Sequence, residues 1–275
     1  MTELSQFGDV NLILPGKGGV GKTLDASSIA IMLSLLGHRT AILDVDIITP
    51  NLAQVMGFSG KQPQFTGSRK QKAYAYNENL RVYSLETYFE DNSGIRLGVE
   101  ECERLISECL LDIDWGSAPI DKLICDMPPA TSDPMKALRN LFPGKNLYGI
   151  GVSSPTKLSM DNLERTLYTC YDMKIKVLGV IANMVGAEMH GHTPLCSCGC
   201  GQPFYPNKDR GDGSEVKEFA ERMKCDFLGV IKFDPDIGFK ANHGQPTIMN
   251  NGAIKNAVDK IVKQRPLFHR LGIVK

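Results

Sequence analysis

The stretch Gly16-Lys17-Gly18-Gly19-Val20-Gly21-Lys22-Thr23 has the make-up of a phosphate-binding loop. It fits the phosphate-loop pattern in full: a glycine, four free positions, then Gly-Lys-Thr. Glycines let backbone N–H groups wrap closely around a phosphate chain, and a following helix N-terminus adds a field that favours anions. In such a loop Lys22 reaches the β- and γ-phosphates and the Thr23 hydroxyl ligates Mg²⁺. The flanks agree with this. Val10 to Leu14 is an apolar run that reads as a buried strand, and Ile29, Ala30, Leu33 and Leu36 recur at helical spacing just after the loop. Residues Gly16, Lys17, Gly18, Gly19, Val20, Gly21, Lys22 and Thr23 are therefore assigned to a nucleotide. Lys17 is a second lysine that a loop already holding Lys22 does not need for binding phosphate.

Short apolar strands alternate with helical patterns along all 275 residues. That alternation implies an α/β fold, a doubly wound and mostly parallel sheet flanked by helices, in one domain spanning 1–275. Thr40 to Leu43 is a strand that delivers Asp44 and Asp46 at its carboxyl end, two residues apart and on one side of an extended chain. Ligands of open α/β sheets bind at that end, so both carboxylates face the phosphate loop and suit a magnesium or water-activating role. Thr49-Pro50-Asn51 reads as a helix cap and first-turn proline ahead of a short helix through Val55. Lys72 to Tyr76 and Leu80 to Leu85 read as two strands joined by a turn, and Val99 to Leu111 as an amphipathic helix. Lys122 to Cys125 is another strand, and Asp126 at its end is the expected acidic partner of the loop, holding the metal through water. Lys176 to Ala182 is a strand ending at Asn183, and 186–213 is a long segment rich in Gly, His, Cys and Pro.

Lysine plus arginine, 31, equals aspartate plus glutamate, 31, which argues against non-specific nucleic-acid binding. No apolar run reaches membrane-spanning length, and Met1 to Gln6 carries no basic or apolar region of a signal peptide. A cytoplasmic protein that binds neither nucleic acid nor membrane is expected. In that compartment the eight cysteines are not disulfides. Cys102, Cys109, Cys125, Cys170 and Cys225 fall on apolar-patterned segments and read as small core residues.

The loop with Lys17 resembles that of the MinD/ParA/nitrogenase-iron-protein class of ATPases. Five blocks narrow the likeness: the loop itself, Leu43-Asp44-Val45-Asp46 with Pro50, Asp114-Trp115-Gly116, Asp126-Met127-Pro128-Pro129 with Thr131 and Asp133, and Leu178 to Met184. In that order they resemble the Mrp/ApbC family of iron–sulfur cluster carrier ATPases. The resemblance implies ATP, Mg²⁺, a 4Fe-4S cluster, a homodimer, and apo iron–sulfur proteins as recipients. It implies that Lys17 crosses to the partner subunit's phosphates, and that Asp46 positions the attacking water. Asp44 and Asp126 would hold the magnesium shell, and Asn183 would contact the adenine. Lys17, Lys22 and Asp46 are thus the catalytic candidates. Two departures stand out. Ala130-Thr131-Ser132 replaces the family's usual Gly-Thr-Gly, a stiffer switch. Cys196-Ser197-Cys198-Gly199-Cys200 replaces its Cys-x-x-Cys.

Alternate residues of an extended chain face one way, so Cys196, Cys198 and Cys200 can converge on a soft metal. A four-iron cluster takes four thiolates, and a two-fold dimer supplies two from each chain. Zinc is the competitor, with His190 and His192 completing a closed site inside one subunit. The alternative functions are a nickel- or zinc-insertion ATPase and a MinD/ParA-like positioning ATPase.

Overall fold

Nine consecutive buried residues, Phe7–Pro15, form β1, the strand that carries the phosphate loop. A strand covered on both faces reads as an unbroken apolar run, which is the mark of a parallel sheet with helices on each side. The computed structural model describes residues 3–47, 49–68, 70–84, 98–129, 133–187, 192–195, 197, 211–245 and 251–264. In chain order these form β1, α1 (Lys22–Leu35), β2 (Thr40–Asp44), α2 (Leu52–Val55), β3 (Gln71–Lys72), β4 (Tyr74–Asn77), β5 (Leu80–Tyr83), α3 (Val99–Leu111) and β6 (Ile113–Asp114). Then follow β7 (Ile120–Asp126), α4 (Asp133–Leu141), β8 (Leu147–Ser153), α5 (Lys157–Asp172), β9 (Lys176–Ala187), α6 (Ser214–Arg222), β10 (Phe227–Phe233), α7 (Pro235–Asn242) and α8 (Gly252–Lys263).

Among the described residues the main sheet has eight strands in the order β10-β9-β8-β1-β7-β2-β5-β4. All its pairings are parallel except β4 with β5. β1 lies between β7 and β8, so the chain winds away from it in both directions, and its carboxyl end is a switch point of the topology. The register sets Asp44 beside Asp126 on neighbouring strands. This places two of the expected acids next to each other at the sheet's ligand-binding end.

Three local expectations need correcting. The strand expected over Lys72 to Tyr76 is split: β3 pairs with β6 in a separate two-stranded sheet, while β4 joins the main one. The strand expected to stop at Asn183 runs on to Ala187, because β10 pairs with it as far as that residue. α2 begins at Leu52 with Asn51 in the cap position, so Thr49 is not its cap. Thr49 instead bonds to Asp46.

The far end of the sheet is tied by charge. Lys122 Nζ lies 2.5 Å from Asp9 Oδ2, with the lysine side chain fully buried. It also donates to the carbonyl of Ile261 at 3.1 Å, which fastens the last turn of α8 to β7. Breaking a buried pair strands one charge without solvent. Lys122→Met should therefore cost about 3 kcal/mol or more, read as a lower urea midpoint of unfolding. Trp115 closes the same layer. Its Nε1–H donates to the Cys109 carbonyl at 3.1 Å, and its ring meets Phe7 edge-on at 5.8 Å.

Candidate functional site

α1 starts at Lys22 directly out of the loop, with Gly21 at φ 83° and no side chain capping its first turn. The helix's leading N–H groups thus lack the side-chain partner they take at most helix starts, and they are disposed for an anion. Gly18 and Gly19 have open space where a Cβ would stand, whereas a Cβ on Gly21 would sit 2.4 Å from Asn183 Nδ2. Glycine at 21 is required both by its left-handed backbone and by that close approach.

The side chains assigned to phosphate and metal converge. Lys22 Nζ lies 2.5 Å from Asp126 Oδ1, and the Thr23 hydroxyl donates to Asp126 Oδ2 at 2.7 Å. Asp126 is fully buried, and burial raises its carboxyl above the usual range while the Lys22 charge opposes the rise. A hydroxyl and a carboxylate oxygen side by side are a hard donor set that suits Mg²⁺.

Asp44 is spent differently. Its Oδ1 accepts from the Asp46 N–H at 3.1 Å. Its Oδ2 accepts from the Asn51 and Leu52 N–H groups at 3.1 and 3.0 Å, and from the Ser84 hydroxyl at 3.0 Å. This carboxylate therefore folds the loop between β2 and α2 around itself. Burial, with the Asp126 charge second, lifts it to about 7. Asp46 accepts from the Thr49 N–H at 3.1 Å and the Thr49 hydroxyl at 3.2 Å.

A cavity of about 400 Å³ joins these groups, lined by Lys17, Lys22, Thr23, Asp46, Thr49 and Pro129. Lys17 is half-buried at its edge. A second cavity of about 330 Å³ adjoins it across Gly21, Leu24 and Met184. Its lining is mostly apolar, including Phe233, Pro235, Ile237 and Phe239, with Asn183 among the polar members. A phosphate-sized basic cleft that opens into an apolar slot has the shape of a nucleotide site. A larger cavity of about 720 Å³ lies around the starts of β8 and β9, at the other end of the sheet from the loop, and holds none of the motif residues.

Sequence reasoning overlooked three contributors. Ser84 is a polar residue in unremarkable surroundings that only the fold brings to Asp44, and Thr49, expected as a helix cap, instead bonds to Asp46 three residues before it. Asp25 is the one acid in the first turn of α1. It is fully buried, and burial, then the Asp126 charge, holds its carboxyl well above the usual range.

The family model of the NUBPL iron-transfer P-loop NTPases, of the ParA group, matches residues 7–265. The chain belongs to that family. A cytosolic Fe-S cluster assembly factor NUBP2 homolog of Trichoplax adhaerens is 31% identical over 240 residues, covering 86% of this chain and 85% of the relative. The homolog of that name in Dictyostelium discoideum is 30% identical over 237 residues, covering 85% and 84%. Among solved structures, a nucleotide-binding protein from Archaeoglobus fulgidus in complex with ADP has a TM-score of 0.69 at 22% identity, covering 92% and 93%. The Pyrococcus furiosus cell division ATPase MinD has a TM-score of 0.64 at 20% identity, covering 94% and 100%. These two likenesses establish the fold. The expected α/β sheet and the expected membership among iron-transfer ATPases both hold.

Membership in the iron-transfer P-loop NTPases makes the cysteine loop the point of greatest interest. Cys196, Cys198 and Cys200 lie outside the described residues, as do His190 and the Ala130-Thr131-Ser132 switch. His192 is described and exposed. Among the described residues, no group of three or more His, Cys, Asp or Glu side chains could hold a metal ion. The other five cysteines are buried or partly so, and burial pushes the Cys109 and Cys170 thiols up to about 12 and Cys225 to about 11. Thiols so reluctant to ionise are poor metal ligands. No described helix is long and apolar enough to cross a membrane.

Proposed function

We propose that this chain is an ATP-hydrolysing carrier of an iron–sulfur cluster, working as a homodimer in the cytoplasm and delivering its cluster to apo iron–sulfur proteins. The observation that carries the nucleotide half is the convergence of Lys22 and Thr23 on Asp126 at the mouth of the loop. Thr23 and Asp126 would hold Mg²⁺, which supplies positive charge to the phosphate oxygens as the terminal bond breaks. Asp44 supports that arrangement from behind by shaping the loop that carries Asp46. Lys22, released from Asp126, neutralises the β- and γ-oxygens. Asp46 orients the attacking water, and Lys17 reaches the phosphates bound by the partner subunit. The base lies in the apolar cavity beside Asn183.

The cluster is cargo. The crowding of Cys196, Cys198 and Cys200 in five positions supports a thiolate site, and two-fold symmetry would place two such loops together. Closure and opening of the dimer around ATP then changes the geometry of that shared site. Relatives named as cytosolic Fe-S cluster assembly factors support the same reading.

The nucleotide half is tested by Asp126→Ala. Magnesium-dependent ATP hydrolysis should fall at least a hundredfold, on the order of the loss when one preorganised charge-stabilising group is removed. Binding of ATP in EDTA should persist, because Lys22 and the loop N–H groups remain. Wild-type turnover in the folded variant would refute the assignment.

A further inference from the structure

The base-side cavity carries a polarity that the loop motif does not explain. Asn183 is almost fully buried where β9 passes Gly21. Its Nδ2 lies 2.8 Å from the Val20 carbonyl, which can only accept. Its Oδ1 lies 2.8 Å from the Met184 N–H, which can only donate. These two neighbours fix which end of the amide is which. Met184 has φ 58°, a left-handed conformation uncommon for a side chain of its size, in the residue whose N–H meets Oδ1.

The second Nδ2 hydrogen goes to Asp25. The two Asp25 carboxylate oxygens lie 3.3 and 3.5 Å from Nδ2, a forked contact from a fully buried acid in the first turn of α1. Ionised or protonated, that carboxyl has an oxygen to accept with. Both donors of the Asn183 amide are thus consumed inside the protein. Its oxygen has two lone pairs, and Met184 uses one. An amide ordinarily offers a ligand both a donor and an acceptor; this one has only an acceptor left to give.

We propose that Asp25 is a specificity-determining residue: by taking the second Nδ2 hydrogen it makes Asn183 a pure acceptor toward the cavity, and so selects 6-aminopurine over 6-oxopurine nucleotides. A 6-amino group donates to that oxygen, whereas a 6-oxo group sets acceptor against acceptor in a largely apolar slot. This rests on the reading that the chain binds a nucleotide with its base in this cavity. Asp25 itself touches no substrate; it acts through Asn183.

Calorimetric titration of the full chain with ATP, GTP and purine-riboside triphosphate, in Mg²⁺, tests the idea. The last compound lacks the exocyclic amino group. Wild-type protein should bind ATP about tenfold or more tighter than either, the size of one buried hydrogen bond lost. In Asp25→Leu and Asp25→Ala the ATP-to-GTP ratio should shrink to about threefold or less, because the second Nδ2 hydrogen is released, while the ATP-to-purine ratio persists because Val20 and Met184 still hold the amide oxygen in place. Asp25→Asn keeps an oxygen facing Nδ2 and should keep the preference. A residue that merely packs would alter all three affinities together and leave the ratios alone. Equal wild-type binding of ATP and the purine analogue overturns the proposal. So does an ATP-over-GTP preference retained in a folded Leu or Ala variant, or lost in a folded Asn variant. Wild-type protein that binds none of the three overturns the nucleotide reading itself, a separate outcome.

Discussion

Changing Cys196, Cys198 and Cys200 together to serine should abolish iron and sulfide uptake while leaving ATP binding in place. Wild-type protein, reconstituted without oxygen, should hold about four irons for each two chains, the load of one cluster ligated from both subunits. A serine hydroxyl stays protonated near neutral pH and is a far harder donor than thiolate, so the triple variant should lack the sulfur-to-iron charge-transfer absorbance. The other five cysteines cannot substitute. Cys102, Cys109, Cys125 and Cys170 are buried under the helices of the core, and Cys225 is partly covered with its thiol pushed up to about 11. The variant also isolates the cargo from the engine, because no residue of the nucleotide cleft is altered. Iron uptake unchanged in the variant would sink the cysteine-loop assignment. One zinc per chain with no iron would favour the closed site that includes His190 and His192.

The second large effect is expected at Lys17. Lys17→Ala should lower ATP turnover about a hundredfold or more, with the ATP dissociation constant moved only a few-fold. The two lysines of the loop occupy different places. Lys22 is buried and ion-paired with Asp126, at the root of the cleft. Lys17 is half-buried at its edge, after the first glycine. Binding is carried by Lys22 and the backbone N–H groups, which the substitution leaves intact. A charge supplied by the neighbouring subunit acts mainly as negative charge develops on the transferred phosphoryl group. Mixing the Lys17→Ala chain with an Asp46→Ala chain separates the shared site from a self-contained one. A mixed dimer has one site with both groups intact, so turnover returns if Lys17 crosses the interface. If Lys17 serves its own subunit, the mixture stays inactive.

The sheet could be read from the sequence because parallel strands buried on both faces leave unbroken apolar runs, as at Val10 to Leu14. The helix α3 was equally plain from its apolar stripe. Short elements were harder. Gln71–Lys72 and Ile113–Asp114 are two residues each, too brief to show a period, and pair only because the fold brings them together. Thr49 has the composition of a helix cap, but its hydroxyl finds Asp46 first, and Asn51 takes the cap position. Within the candidate site, Lys22, Thr23 and Asp126 announce themselves by motif. The hydrogen bonds that Asp44 takes from Ser84, and Asn183 gives to Asp25, join residues 40 and 158 positions apart and have no local signature.

Control of cluster release by the phosphate loop is the hinge of the proposed cycle. It is tested most directly by cluster transfer from anaerobically loaded protein to an apo ferredoxin in Mg-ATP, comparing wild type with Lys17→Ala at equal iron content. Wild-type protein should deliver its cluster at a rate that depends on ATP turnover, and the loaded variant should deliver it at the rate seen without nucleotide. Equal, ATP-dependent delivery by both proteins would contradict the claim.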